Sequence, residues 1–250
     1  EIVSIKTIVN YSGLKDDISF INSYGPTKSG LLKPEIFAPG NQTMSARGAN
    51  SFNAPYPCNR KGLIMKSGTS MSTPAAAGAV ILLLQYFKDG FYPTGKKNLN
   101  DSLLISSVLV RAILVNSASS FKAMNFSKVP LLNSGFGSIH LANSLILDEN
   151  STKKGLRIFD RIKISSKQDI YSTVQLDNKN SPLKVTLSWF DPPLDTESIM
   201  PHFADLDLYI ITPDGKVFYG NNKDCEDSHS TTEKVIIEKP LKGKYQIHVF

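Results

Sequence analysis

An unbroken apolar run extends from Ala75 to Leu84 and contains no polar side chain. A helix made from such a run is hydrophobic around its whole circumference, so we expect it to be buried on all sides. Pro74 directly precedes the run, and proline is tolerated in the first turn of a helix, where its missing N–H would have no partner in any case. With about ten apolar residues, the run is shorter than the roughly twenty that a membrane span needs, so we expect no transmembrane segment.

A second helix is predicted between Asp101 and Asn116, where apolar residues recur at spacings of three and four. Its expected buried stripe consists of Leu104, Val108, Ala112 and Val115. Further along, residues 133–147 (NSGFGSIHLANSLIL) indicate a glycine-rich turn that leads into a short helix.

Beyond Asn150 the apolar period becomes two, which is typical of half-buried β-strands. The alternating sets are Ile170, Val174 and Leu176; Val185, Leu187 and Trp189; and Tyr245, Ile247 and Val249. The segment TPDG, residues 212–215, predicts a tight hairpin because proline presets one turn position and glycine adopts the left-handed one. Short strands separated by turns predict an antiparallel β-sandwich over residues 150–250. Since the last strand ends at Phe250, we expect the sandwich to be incomplete.

Ser70 lies where the apolar helix is predicted to begin, within SGTSMSTPAAAG, residues 67–78. Free backbone N–H groups and the positive end of the helix dipole lie at a helix N-terminus, where they stabilise negative charge on a substrate oxygen. Serine is also one of the favoured N-cap residues, so an isolated serine here has a purely structural interpretation as well.

Two segments resemble those of the subtilisin-like serine proteases. The active-site serine signature of that family is matched by Gly68, Thr69, Ser70, Ser72, Pro74, Ala77 and Gly78. The preceding block SYGPTKSGLLKPEIFAPG, residues 23–40, is similar to the block that precedes the serine in the family. The resemblance identifies Ser70 as the nucleophile, within a motif that includes Gly68, Thr69 and Pro74. It implies an α/β fold for residues 1–149, the C-terminal part of a doubly wound parallel sheet with a buried helix after the serine.

Ser67 stands where the family often carries asparagine or glycine, which affects contacts with a substrate strand more than the chemistry. The nucleophile elbow of other serine hydrolases is excluded, because it requires G-x-S-x-G and Ser72 occupies the place of the second glycine.

The resemblance places the other catalytic residues upstream of this chain. The family order is Asp, His, Ser, whereas the four histidines, His140, His202, His229 and His248, all follow Ser70. The asparagine of the oxyanion hole also belongs upstream, and Asn10, which follows the first predicted strand, is a poor candidate. A serine hydroxyl needs an adjacent base to act as a nucleophile, so we expect the chain to be inactive by itself.

The second half resembles the jelly-roll-like domain that follows the catalytic domain in some subtilases, notably in LKVTLSWFDPPL, ADLDLYIITPDGKVFYGN and GKYQIHVF. In ADLDLY, Asp205 and Asp207 alternate with leucines, so we expect both carboxylates on the outer face of a strand. Related domains place calcium near such pairs, and the resemblance therefore suggests calcium at Asp205 and Asp207. Loop acids that could contribute are Asp224, Glu226 and Asp227. A solvated acidic strand face is the alternative.

Composition excludes some classes of protein. The chain is 41% hydrophobic and 20% charged, which is ordinary for a soluble globular protein. Its net charge is +6, and the basic residues between Lys153 and Lys167 are separated by apolar ones. That spacing favours a solvated strand face, and aromatic residues interleaved for base stacking are absent, so no nucleic-acid partner is expected.

Cysteines and glycosylation sequons bear on the compartment. Cys58 and Cys225 allow either a single bridge between the two halves or two free thiols. Sequons occur at Asn10, Asn41, Asn100, Asn125 and Asn150. Together with the family resemblance, they favour a secreted or vesicular protein.

The combined expectation is part of a subtilisin-like serine endopeptidase that acts on proteins or peptides together with the upstream part of its catalytic domain. A catalytically silent scaffold with the same fold is the alternative. Carbohydrate binding by the sandwich is disfavoured, because Trp189 is the only tryptophan and alternates with core residues.

Overall fold

The computed structural model of the protein describes residues 5–11, 15–18, 22–47, 63–119, 135–147, 155–177, 181–192, 203–222 and 224–250, and for residues 5–18 it describes the backbone alone. The first half contains a sheet of β1 (Ile5–Tyr11), β2 (Lys15–Ile18) and β3 (Ile36–Pro39) in the order β2-β1-β3. Strand β1 pairs with β3 in parallel and with β2 antiparallel. A separate antiparallel ribbon consists of β4 (Thr43–Ala46) and β5 (Leu63–Lys66).

Helix α1 (Thr69–Lys88) packs against this sheet, and α2 (Ser107–Ser117) packs against α1. They meet in one apolar cluster that includes Ile36, Leu83, Tyr86, Phe87, Leu109, Ile113, Leu114 and Phe136. Together with the parallel β1–β3 pair, this arrangement is of the expected α/β class.

Burial of α1 differs from the expectation. Its fully buried residues, among them Leu83 and Phe87, lie on one face, whereas Ile81 is 65% exposed and Leu82 is 61% exposed. The prediction of a helix buried on all sides is therefore wrong for the described part of the chain, because sheet and α2 cover the helix from one side only.

The bounds of α1 correct two further expectations. The helix begins at Thr69, so Pro74 is its sixth residue and lies beyond the first turn. The missing N–H of Pro74 leaves the carbonyl of Ser70 without its intrahelical partner. At 20 residues, α1 is also long and apolar enough to cross a membrane, so the argument from length is wrong. Core helices of soluble proteins share these properties, and α1 buries Tyr86 and Phe87 in the apolar cluster.

Helix α2 starts later than its apolar pattern predicts. Ser106 is the N-cap, and its hydroxyl accepts the N–H of Leu109 at 3.1 Å. The predicted stripe is largely wrong: Leu104 precedes the helix and is 82% exposed, and only Val115 of the four is fully buried. The buried positions are instead Leu109, Val110, Arg111, Ile113, Leu114, Val115 and Ser117. Within residues 135–147, the expected short helix is a single 3-10 turn, Leu141–Asn143.

The second half contains two antiparallel sheets. One has the order β6-β11-β8-β9, with β6 (Ile170–Leu176), β8 (Leu208–Ile211), β9 (Val217–Tyr219) and β11 (Gly243–Val249). The other pairs β7 (Leu183–Ser188) with β10 (Thr232–Ile237). Both sheets contribute to one apolar cluster, centred on Leu208, Ile210, Val235, Ile237 and Tyr245. The predicted hairpin is confirmed, with the N–H of Gly215 bonded to the carbonyl of Thr212 at 2.9 Å and φ of Gly215 at +81°.

Buried polar contacts join the two halves. The guanidinium of Arg111 on α2 donates to Oγ of Ser188 at 2.7 Å and to the carbonyls of Trp189 and Thr231. Lys234 on β10 is 1% exposed, and its Nζ donates to the carbonyl of Val115 at 2.7 Å.

Two further contacts extend this junction. The amide of Asn116 donates to Oγ1 of Thr186 at 3.0 Å. Oγ1 of Thr232 donates to the buried carboxylate of Glu35 at 3.3 Å, and that carboxylate also pairs with Lys33 at 3.0 Å. The second half therefore rests on the end of α2 and on the segment before β3.

Candidate active site

Ser70 is the second residue of α1 and is exposed. The chain enters the helix from β5, and hydrogen bonds fix this entry. The N–H of Gly68 donates to the carbonyl of Gly40 at 2.9 Å. The hydroxyl of Ser67 donates to Oδ1 of Asn41 at 2.7 Å and accepts the N–H of Gln42 at 2.8 Å. The serine at position 67 thus ties the loop after β3 to the start of α1.

The N-terminus of α1 has free backbone N–H groups of the kind that bind an anion. Gly68 is the N-cap, and no side chain caps the helix. The carbonyl of Gly68 accepts the N–H groups of Met71 at 3.0 Å and Ser72 at 3.4 Å. Among the described residues, no acceptor takes the N–H of Thr69 or Ser70. Ser70 is therefore not the N-cap, and its hydroxyl stands beside unpaired backbone donors, which suit a developing negative charge on oxygen.

No described side chain forms a hydrogen bond to Oγ of Ser70. His140 precedes the 3-10 turn and is exposed. Nδ1 of His229 lies 3.2 Å from the hydroxyl of Ser228, and Nδ1 of His248 lies 3.3 Å from Oδ2 of Asp169. His202 lies outside the described residues. The described part of the chain thus presents the serine without its base.

The two aspartates proposed to bind calcium are not equivalent. Asp205 is exposed, but Asp207 is only 7% exposed, so the expectation that both face outward is wrong. Strand β8 begins at Leu208, after both aspartates. Asp207 exchanges backbone hydrogen bonds with Phe250, and its Oδ1 accepts the N–H of Asp227 at 2.9 Å.

Asp207 belongs to an acidic cluster, which we define as Asp205, Asp207, Asp227 and Glu233. Asp227 is 4% exposed and accepts hydrogen bonds from the amide of Asn221 at 2.7 Å and the hydroxyl of Ser230 at 3.0 Å. Glu233 is 1% exposed, and its Oε2 accepts the N–H of Leu208 at 2.6 Å. Among the described residues, Oε1 of Glu233 has no hydrogen-bond partner.

Burial, together with the neighbouring carboxylates, raises the pKa of Glu233 to about 9 and that of Asp207 to about 6. Sequence reasoning missed Glu233. Its place on β10, two and four residues before the buried Val235 and Ile237, is the signal that would have predicted an inward side chain.

One further predicted ligand, Glu226, lies near enough to Asp207 to raise the pKa of that carboxyl. Asp224 and Glu226 are exposed. Within the described ranges, no group of three or more His, Cys, Asp or Glu side chains is arranged to hold a metal ion. Cys225 is an exposed free thiol, and Cys58 lies outside the described residues.

Comparisons with known proteins agree with the motif. The Subtilase family matches residues 5–152. The serine protease/ABC transporter B family protein tagA of Dictyostelium discoideum is 28% identical over 255 residues, which cover 93% of this chain and 14% of that protein. Serine protease AprX of Bacillus subtilis is 40% identical over 77 residues, which cover 30% of this chain and 17% of AprX. The chain thus spans a small part of the curated relatives that it matches.

Proposed function

Because the chain belongs to the subtilase family, we propose that it supplies the nucleophile, Ser70, of a serine endopeptidase that hydrolyses protein or peptide bonds. The main observation in support is that Ser70 lies in the first turn of α1 and is exposed. The N–H groups of Thr69 and Ser70, beside its hydroxyl, have no acceptor among the described residues. The family match and the signature around Gly68, Thr69 and Pro74 support the same role.

In this mechanism Oγ of Ser70 attacks the scissile carbonyl carbon while an upstream histidine takes its proton. The carbonyl oxygen becomes an oxyanion, which the N–H of Ser70 and an upstream asparagine stabilise. The histidine then returns the proton to the leaving amine, and water hydrolyses the acyl-enzyme. Since no described base reaches Ser70, the chain alone is expected to be inactive.

A test of this function replaces the nucleophile in the full-length protein. Ser70→Ala should lower kcat by several orders of magnitude, because the hydroxyl forms the covalent intermediate. Ser102→Ala, at an exposed serine outside the site, is the matched control and should leave kcat unchanged. Retained peptidase activity in Ser70→Ala would reject the proposal.

The competing function is a catalytically silent scaffold. In that case the subtilase fold would serve as an interaction module without hydrolysing peptides. The residues upstream of Glu1 distinguish the endopeptidase from the scaffold. An aspartate-threonine-glycine turn and a glycine-rich histidine helix there would favour the enzyme, and their absence would favour the scaffold.

The six strands of the second half support a further part of the proposal, namely that residues 150–250 form a jelly-roll-like domain following a catalytic part over residues 1–149. Two antiparallel sheets share one apolar cluster, as in a sandwich. The proposed location of the protein is secreted or vesicular.

Calcium is a second proposal and concerns the acidic cluster. Carboxylate oxygens are the ligands that calcium prefers, and the buried, unpartnered Oε1 of Glu233 supports a cation there. Asp207 would contribute, and Asp205 would approach it from the exposed side. The solvated acidic face remains the alternative for Asp205.

A chelator distinguishes the two alternatives. If calcium binds the folded state, EDTA should lower the Tm of the protein by mass action, and the double variant Asp205→Asn/Asp207→Asn should abolish that dependence. Asp177→Asn, an exposed control, should retain it. A Tm that EDTA leaves unchanged would reject the calcium site.

A further inference from the structure

The segment before β6 is anchored to the molecule through every second residue. Residues 155–160 alternate between exposed and half-buried positions, which is the period of an extended chain. The half-buried Leu156 and Ile158 pack against the apolar cluster of the two helices. Asp160, the next half-buried residue, accepts the N–H of Ser106 at 2.9 Å and so joins the segment to the start of α2. The side chains between these anchors are presented to solvent by a fixed backbone.

Those solvent-facing side chains combine positive charge with apolar surface. Arg157 and Arg161 are exposed on either side of Phe159, which is itself 54% exposed. Ile162 is 61% exposed, and Lys163 after it is exposed as well. We call Arg157, Phe159, Arg161, Ile162 and Lys163 the basic stripe. It places an aromatic ring and a branched aliphatic side chain among three cations.

Two contacts fix Arg157 within the stripe. Its guanidinium carbon lies over the ring of Phe159, 5.1 Å from the ring centroid. Its Nη1 donates to the carbonyl of Thr173 at 2.9 Å, on β6, which lies at the edge of its sheet among the described strands. The arginine therefore covers one face of the ring and occupies a carbonyl at the sheet edge.

Little negative charge in the segment opposes the stripe. Residues 155–168 contain a single acid, Asp160, and four cations: Arg157, Arg161, Lys163 and Lys167. The carboxylate of Asp160 lies 3.0 Å from Nη1 of Arg161, and its side chain is only 17% exposed. The following acid, Asp169, lies 3.3 Å from Nδ1 of His248. The exposed surface of the segment is thus positive and suits an anionic partner.

We propose that the basic stripe is a docking surface for a bilayer that contains anionic phospholipids. Each lysine or arginine held at such a surface strengthens partition about fivefold, because the negative surface potential attracts it. Aromatic and aliphatic side chains enter the boundary between headgroups and acyl chains and add hydrophobic binding. The stripe presents both kinds of side chain on one side of a fixed backbone, so a bilayer surface contacts them together.

The geometry favours a bilayer over a polypeptide or a nucleic acid. An acidic peptide that adds a strand to a sheet needs free groups at the edge, and Arg157 occupies the carbonyl of Thr173 there. A stacked base needs a free ring face, and the guanidinium of Arg157 covers one face of Phe159. A bilayer requires neither, because protruding cations and apolar side chains make its contacts.

Cosedimentation of the protein with lipid vesicles tests the docking without any measurement of peptidase activity. Vesicles with about one third phosphatidylserine should bind the protein, and vesicles of phosphatidylcholine alone should bind it far more weakly. Arg161→Gln/Lys163→Gln should lower the partition coefficient about 25-fold, at about fivefold for each charge. Lys239→Gln/Lys242→Gln, which removes two exposed charges between β10 and β11, is the matched control and should change it little.

A second pair of variants tests the apolar contacts. Phe159→Ser should weaken binding to the phosphatidylserine vesicles about tenfold, the usual loss for a buried aromatic side chain. Phe203→Ser, at a residue that is 73% exposed and outside the stripe, should bind like the unchanged protein. All of these positions are exposed, and an unchanged Tm in each variant shows that the fold is kept.

Two results would overturn the docking. Stripe variants that bind vesicles as tightly as the unchanged protein would reduce the stripe to a solvated basic face. An unchanged protein that ignores the vesicles but binds polyglutamate or a DNA oligonucleotide through the stripe would assign it to a polypeptide or a nucleic acid instead.

Discussion

Glu233 and Lys234 are consecutive residues of β10, and each is only 1% exposed. Glu233 faces the acidic cluster, whereas Lys234 donates to the carbonyls of Val115 and Ala118 at the end of α2. Burial raises the pKa of Glu233 to about 9, and burial, helped by Lys184, lowers the pKa of Lys234 to about 7. Both charged forms are thus disfavoured in the folded state, and stability must depend on pH.

The sign of that dependence differs across the pH range. The folded state holds a proton on Glu233 that the unfolded chain releases above its ordinary pKa, so the free energy of unfolding should fall as pH rises from about 5 to about 7. Asp207, with its pKa raised to about 6, adds to this fall. Between about pH 9 and pH 10, the lowered pKa of Lys234 should make stability rise instead.

Urea unfolding in a buffer with EDTA, at about pH 5 and pH 7, measures the slope of the free energy of unfolding against pH. Glu233→Gln should flatten it, whereas Glu238→Gln, at the exposed position directly after β10, should not. Equal slopes in the unchanged protein and in Glu233→Gln would contradict the account.

Among the secondary-structure elements, the residues of the first turn determine where each helix begins. Ser106 caps α2, and its hydroxyl also donates to Oδ1 of Asp160 at 2.5 Å. Ser106→Ala should therefore reduce the free energy of unfolding by about 1 kcal/mol, the usual cost of a lost N-cap. Ser102→Ala, an exposed serine that precedes the helix, should change it little. Equal effects of the two substitutions in urea unfolding would show that Ser106 does not act as a cap.

The elements differ in how far the sequence predicts them. Strands β6, β7 and β11 and the TPDG hairpin follow from period two and turn chemistry, because these signals are local. The start of α2 does not, because capping by Ser106 outweighs the apolar spacing that includes Leu104. The burial of Asp207 does not either, since it depends on pairing with Phe250, 43 residues away. Ser70 is predicted because its motif is local, whereas its partners belong to distant segments.

At the scale of the whole molecule, the halves share a buried polar junction. Arg111 is 5% exposed and supplies the sandwich carbonyls of Trp189 and Thr231 with donors. The antiparallel sheet of β7 and β10 contacts α2 in this way, and α2 packs against α1, which carries Ser70. The second half is thus part of the support of the candidate active site.

Arg111→Met tests the junction. It keeps the aliphatic bulk but removes the donor of the carbonyl of Trp189 and one donor of the carbonyl of Thr231, so the free energy of unfolding should fall by about 3 kcal/mol. Arg157→Met is the matched control: Arg157 is exposed, donates to the carbonyl of Thr173, and should cost about 0.5 kcal/mol or less. Differential scanning calorimetry should show the Arg111 variant melting earlier. An unchanged Tm would mean that the junction contributes nothing to stability.

The central claim is that Ser70 is the nucleophile. Fluorophosphonate labelling of the full-length protein, followed by peptide mass spectrometry, tests it most directly, because the probe reacts with a serine only when a base activates it. The account predicts a single adduct on the peptide containing Gly68, Thr69 and Ser70, and its loss in Ser70→Ala. An adduct on another serine, or none in a protein that cleaves peptides, would contradict it.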